Sequence, residues 1–143
     1  MQHLPTSPKP DWAAACGEHL DPAVIGSLVD LGGEDEPDLI VELIDLFLED
    51  ADTRVTALES AARSKDWDQV SRLAHTLKGS SATMGAARFS VACRTVEMEA
   101  RDGGLARESL DYAVESHLSV QFSLVCLRAQ LTESGGGNYQ RTA

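Results

Sequence analysis

The chain has 143 residues, a length near that of one domain, so two full catalytic domains are excluded. Hydrophobic residues make up 43% and charged residues 24%, as in an ordinary soluble globular protein, which argues against overall disorder and allows a core. Lys plus Arg number 12 against 23 Asp plus Glu, a formal charge of −11 that repels a phosphate backbone and makes nucleic acid an unfavourable partner.

The N-terminal stretch MQHLPTSPKPDW has neither the charged start nor the apolar run of a signal peptide, and no window approaches the length of a membrane span. A cytosolic protein with no membrane association is expected. Cys16, Cys93 and Cys126 are odd in number and far apart, with no C-x-x-C pair, so they are read as reduced and mostly buried thiols without a metal.

Proline occurs at positions 5, 8, 10, 22 and 37 and nowhere later, which leaves the rest of the chain open to long helices. Residues 1–19 read as a flexible extension, 20–133 as the folded part and 134–143 (SGGGNYQRTA) as a flexible Gly-rich tail. Asp21 followed by Pro22 predicts a capped short helix that stops at Gly32-Gly33. A long helix is predicted from the acidic stretch at Asp35–Asp38 to about Arg63, with Ile40, Leu43, Ile44, Phe47, Ala51, Leu58 and Ala62 on one face. The next runs from about Asp66 to Thr83 on the stripe Val70, Leu73, Leu77 and Met84, with Gly85 after its end. Phe89, Ala92, Cys93, Val96 and Ala100 define another, ending before Gly103-Gly104. The last is predicted from about Leu105 to Leu131, with Leu110, Val114, Leu118, Gln121, Leu124, Val125 and Leu131 facing the core. No segment alternates with period two, so the expected fold is all-α: an antiparallel up-down four-helix bundle with a short extra N-terminal helix.

The chemistry concentrates in residues 73–86, L-A-H-T-L-K-G-S-S-A-T-M-G-A. At 100° per residue, His75 lies roughly 200° from Leu73 and roughly 160° from Leu77, which turns it away from the core. Lys78 and Gly79 follow at i+3 and i+4 on the same outward face. A glycine inside a helix costs ~1 kcal/mol relative to alanine, and steric access to the neighbouring imidazole would offset that cost. An exposed imidazole beside an ammonium suits phosphoryl transfer, the neutral ring attacking phosphorus and Lys78 offsetting charge on the oxygens. Ser80 and Ser81 either donate to a partner or bond back to their own helix. Arg72 at i−3 and Lys78 form a positive spot on an acidic chain, with Arg88 toward the distal end. Val41 and Leu48, off the core stripe of their helix, are candidates for a partner-facing patch. His3, His19 and His117 lack such neighbours and are assigned no role.

The run A-H-T-L-K-G-S-S-A-T-M-G-A, followed by F-x-x-x-C-R-x-x-E-x-x-A, resembles the signature of histidine-containing phosphotransfer domains of two-component phosphorelays, and the resemblance in helix pattern covers roughly residues 20–131. It implies a four-helix bundle in which His75 accepts a phosphoryl group from a receiver-domain aspartate and passes it to another. It also implies that Glu97, on the following helix, hydrogen-bonds the imidazole and fixes its orientation. Such proteins carry no ATP site or metal of their own, the receiver supplying Mg²⁺, and no G-x-x-x-x-G-K-[ST], G-x-S-x-G or H-E-x-x-H occurs here. The H-E-x-x-x-P context of sensor-kinase dimerisation helices is absent; the H-T-[LI]-K-G of chemotaxis kinases is closer, but their further domains would not fit. The expectation is a monomeric phosphocarrier with receiver domains or hybrid kinases as partners. The alternatives are a helical module that signals by binding alone and a domain excised from a hybrid sensor kinase, against which Met1 and the two extensions favour a free-standing protein.

Overall fold

The structure, a computed structural model, describes the backbone of residues 11–142 and the side chains of residues 12–133. The part of the expected N-terminal extension at 1–10 lies outside the described residues. A 3-10 helix, Asp11–Cys16, is followed by five α-helices: α1 Pro22–Gly32, α2 Leu39–Arg63, α3 Trp67–Thr83, α4 Ala87–Arg101 and α5 Arg107–Thr142. Helices α2 to α5 form the up-down bundle, α2 against α3, α3 against α4, α4 against α5, and α5 back against α2. The α3–α4 and α2–α5 edges are therefore opposite sides of the bundle. No strand occurs among the described residues, and no helix among them is long and apolar enough to cross a membrane.

Local chemistry explains the boundaries. Asp21 caps α1 by accepting from the Ala23 amide at 2.9 Å, with Pro22 at the first helical position. Asp66 caps α3 by accepting from the Gln69 amide at 3.2 Å, after a turn in which Lys65 takes a left-handed φ of 58°. Between α3 and α4, Gly85 has φ +77°, and a Cβ there would stand 3.0 Å from Val24 Cβ. The Asp21 amide donates to Gly85 O at 2.9 Å, so α1 is pinned to the α3–α4 turn and covers that end of the bundle. At the other end, Glu99 accepts from the Ala106 amide (2.9 Å) and the Ser109 hydroxyl (2.8 Å), tying α4 to the first turn of α5.

The core is built from the predicted faces of α2, α3 and α4, with Ile44, Leu77, Phe89 and Val96 almost wholly excluded from water. Cys16, Cys93 and Cys126 are free thiols, the first two buried and the third half-buried, and burial pushes the Cys93 thiol up to about 12. Three expectations need correction. The folded part begins before residue 20: the 3-10 helix packs on α5, half-burying Trp12 and sealing Cys16 and Leu20. The core face of α5 is also rotated from the predicted one. Ala113, Ser116, His117, Val120, Ser123, Leu124 and Leu127 point inward, while Leu118 and Val125 are 55% and 52% exposed. Ala113, Ser116 and Ser123 share this face with Val120, Leu124 and Leu127, and a count of large apolar side chains passes over the small ones. His117, given no role, is buried 5.7 Å from the Phe89 ring as a core side chain. The α5 backbone continues helically through 134–142, the segment read as a tail.

Candidate functional site

The register of α3 sets the site. Val70, Leu73, Ala74, Leu77 and Ser81 are buried, so the side chain of His75 is turned outward and is 63% exposed. Lys78, one turn on, leans toward α4. There the two side chains meet Glu97, buried at 2% exposure. Its Oε2 lies 2.8 Å from His75 Nδ1, and its Oε1 accepts from Lys78 Nζ at 2.8 Å. The Arg101 guanidinium, one turn further along α4, pairs with Oε2 at 2.8 Å.

Burial, the largest single influence on Glu97, pushes its carboxyl up. The hydrogen bonds from Lys78 and His75 and the charges of Arg101 and Lys78 together outweigh it and hold the group below the usual carboxylate range. Glu97 is thus ionised at neutral pH and can only accept hydrogen bonds. The proton of a neutral His75 ring must then sit on Nδ1, and the lone pair is left on Nε2. A buried anion that orients an exposed imidazole and anchors an ammonium beside it leaves a nucleophilic nitrogen in a cationic setting.

The backbone beneath is stitched across the two helices. Ser90 Oγ of α4 donates to Lys78 O at 2.8 Å, Ser81 Oγ donates to Leu77 O, and Ser81 Oγ also reaches Lys78 O at 3.3 Å. Ser80 bonds back to Thr76 O at 3.2 Å and Leu77 O at 3.4 Å, which is its local helical role. A Cβ added at Gly79 would meet nothing within 4 Å. No packing inside the protein demands glycine there.

Other expected members stand apart. Arg72 pairs with Asp68 at 2.7 Å, both exposed, and does not join the His75 cluster. Arg88 reaches Glu18 at 3.7 Å, away from the site. The positive charge around the imidazole comes instead from Lys78 and from Arg101, which the sequence reading missed although its i+4 spacing from Glu97 signals an ion pair. Ser90 gave no signal, because its contact with Lys78 O is tertiary. Val41 and Leu48 are half-buried against the core rather than forming an exposed patch, because they share the α5-facing flank of α2 with Asp45. The exposed large apolar side chains of α4 are Val91 and Met98, at 60% and 51%. Among the described residues no cluster of three or more His, Cys, Asp or Glu side chains could hold a metal ion.

An antiparallel helical bundle presenting one oriented, solvent-open imidazole defines a histidine-bearing helical domain. The sequence model of the Hpt domain matches residues 42–134, more than half of the chain, and the chain belongs to that family. It is similar to histidine-containing phosphotransfer protein B (HptB) of Pseudomonas aeruginosa PAO1, whose crystal structure matches with 30% identity and a TM-score of 0.71 over 79% of this chain and 96% of that one. It is also 28% identical over 100 residues to multistep phosphorelay regulator 1 of Schizosaccharomyces pombe, covering 67% of this chain. The chain spans about a third, 34%, of that relative's length.

Proposed function

We propose that this chain is a phosphocarrier of a two-component phosphorelay, accepting a phosphoryl group on His75 from a receiver-domain aspartyl phosphate and passing it to another receiver. The observation that carries the reading is the His75–Glu97–Lys78 cluster, an exposed imidazole whose Nδ1–H is held by a buried carboxylate beside an ammonium. The Nε2 lone pair attacks phosphorus, the N–P bond forms, and the P–O bond to the receiver aspartate breaks, releasing its carboxylate. The Nδ1 proton stays on the ring throughout, bonded to Glu97. Lys78 offsets charge on the phosphoryl oxygens, and the open ground at Gly79 lets the receiver surface close on the ring. Transfer to the second receiver is the same step reversed.

No side chain of the cluster acts as a kinase. The receiver brings both the aspartate and Mg²⁺. All the groups of the site come from α3 and α4 of one chain, so a monomer suffices. Contact with a receiver would place the cationic Lys78 and Arg101 against its acidic pocket, and complementary charge favours encounter more than tight binding.

The test is to mix the purified protein with several phosphorylated receiver domains and Mg²⁺ and look for acid-labile phosphate. Label on the wild type and none on His75→Ala is expected. Absence of label from every receiver, with the protein folded, would favour a module that signals by docking alone.

A further inference from the structure

The edge on the opposite side of the bundle from α3 and α4 has a chemistry of its own. Along α2, Glu42, Asp45, Glu49, Asp52, Thr56 and Glu59 recur at three- and four-residue steps and so form one bank of the helix. Asp45 fixes where that bank points, since its carboxylate takes Arg128 of α5 at 2.6 and 2.9 Å. Asp52 and Glu59 likewise come close enough to His117 of α5 for their charges to act on it. Between 42 and 59 the one cation is Arg54, which is turned to Asp50 at 2.8 Å. Among the described residues, Glu42, Glu49, Asp52 and Glu59 form no ion pair.

On the neighbouring helix α5, which packs against α2, runs an apolar stripe. Leu118, Phe122 and Val125 succeed one another along the outer face of α5 at 55%, 71% and 52% exposure. No Lys or Arg occurs in α5 from 108 to 127. Toward the start of α5, one turn before Leu118, lies a cleft of about 600 Å³ whose walls include Leu110, Val114 and Trp67 and whose charged lining is balanced, so it adds apolar contact without net charge. Exposed aromatic and aliphatic side chains in one line are a feature of surfaces that bind other proteins. The acid beside them selects the occupant. A second copy is disfavoured, because it would bring together two chains of formal charge −11 with their acidic banks flanking the contact.

We propose that the α2–α5 edge docks a basic amphipathic helix of a partner protein, its apolar face on Leu118, Phe122 and Val125 and its Lys and Arg side chains on the acidic bank of α2. Because α3 and α4 form the opposite edge, such a helix leaves His75 accessible, and the partner holds the carrier near its receivers without competing with them. An amphipathic helix presents apolar anchors at i, i+3, i+4 and i+7, and the stripe matches it with apolar side chains at i, i+4 and i+7. The inference stands independently of whether His75 is phosphorylated.

The probe is a fluorescein-labelled helix-forming peptide of Leu and Lys, about 18 residues or roughly 27 Å long to match the acidic bank, with a Leu and Glu peptide of the same pattern as counterpart. Saturable binding of the Lys peptide is expected by anisotropy, with amide shift changes along 118–125 and 42–59. Phe122→Ser should weaken it roughly tenfold. Glu49→Gln should weaken it less, and NaCl at about 0.5 M should weaken it several-fold in the wild type. Phe122→Ser should accept phosphoryl label on His75 as the wild type does, which separates failure of this inference from failure of the carrier reading. The proposal is overturned by absence of saturation, by equal binding of the Glu peptide, by indifference to Phe122→Ser, or by shifts confined to α3 and α4. It is equally overturned if the wild type sediments as a dimer that Phe122→Ser makes monomeric, since the stripe would then belong to a second copy.

Discussion

On the α3–α4 edge a carboxylate is buried and Lys78, Arg101 and His75 converge on it, whereas on the α2–α5 edge the carboxylates stand in water and apolar side chains are exposed. The same helical scaffold thus holds two kinds of surface. A buried, fully bonded carboxylate fixes geometry, because its hydrogen bonds are strong in a poorly solvated setting and their loss leaves donors without partners. An exposed acidic bank fixes no side-chain geometry and acts through long-range complementarity. Substitutions on the first edge should therefore change chemistry, and substitutions on the second should change association.

The largest effect on the first edge is expected at Gly79. With open space around its Cβ position, Gly79→Ala should be accommodated and should stabilise the helix by about 0.5–1 kcal/mol, the usual gain over an interior glycine. Gly79→Gln should fold equally well and slow phosphorylation about 100-fold, because displacing the receiver surface by about 1 Å spoils in-line attack. Thermal melts together with receiver-dependent labelling check both. Unimpaired transfer by a folded Gly79→Gln protein would remove the access argument and leave the glycine unexplained.

Next in size is Glu97→Ala, which strips the orienting acceptor from three donors at once. Transfer should fall about 10–100-fold, by analogy with removal of the carboxylate that orients a metal-bound imidazole. Glu97→Gln, which keeps a carbonyl acceptor and loses the charge, should fall between wild type and Ala. If both variants transferred normally while Phe122→Ser did not, the assignment of chemistry and association to the two edges would be reversed.

How far the sequence discloses these features follows from where each signal lies. Helices α2 to α4 are legible because Ile44, Leu77 and Val96 sit on strict apolar faces, and Asp21 and Asp66 announce the starts of α1 and α3. The rotation of α5 is not, since Ala113, Ser116 and Ser123 share its packed face with Val120, Leu124 and Leu127 while Leu118 and Phe122 stand outside. The grouping of His75, Lys78 and Gly79 is local to one helix and can be counted. Glu97 is 22 residues from His75, and only the family resemblance pointed to it. Arg72 shares the outward side of α3 with His75, yet Asp68 at i−4 captures it, a competition that spacing from the imidazole alone does not reveal.

The smallest effect distinguishes the edges by pH and salt together. The folded-state pKa of Glu97 lies below its ordinary value of 4.5, so in acid the unfolded chain binds a proton before the folded one does. Its contribution to stability is therefore complete above about 4.5 and is lost as pH falls through the lower folded value. The gap in urea midpoint between wild type and Glu97→Gln should narrow over that window. Asp45 titrates in the same direction, its carboxyl lowered chiefly by the hydrogen bond from Arg128, but this pair is solvent-exposed. Salt should erode the difference between wild type and Asp45→Asn and leave most of that between wild type and Glu97→Gln, since ions screen exposed pairs far more than buried ones. Midpoints at pH 7, 5, 4 and 3, each with and without NaCl, supply the comparison. Parallel wild-type and Glu97→Gln curves across all four pH values would mean that the carboxylate carries no net folded-state charge stabilisation, and the preference for the Nδ1–H tautomer of His75 would lose its electrostatic basis.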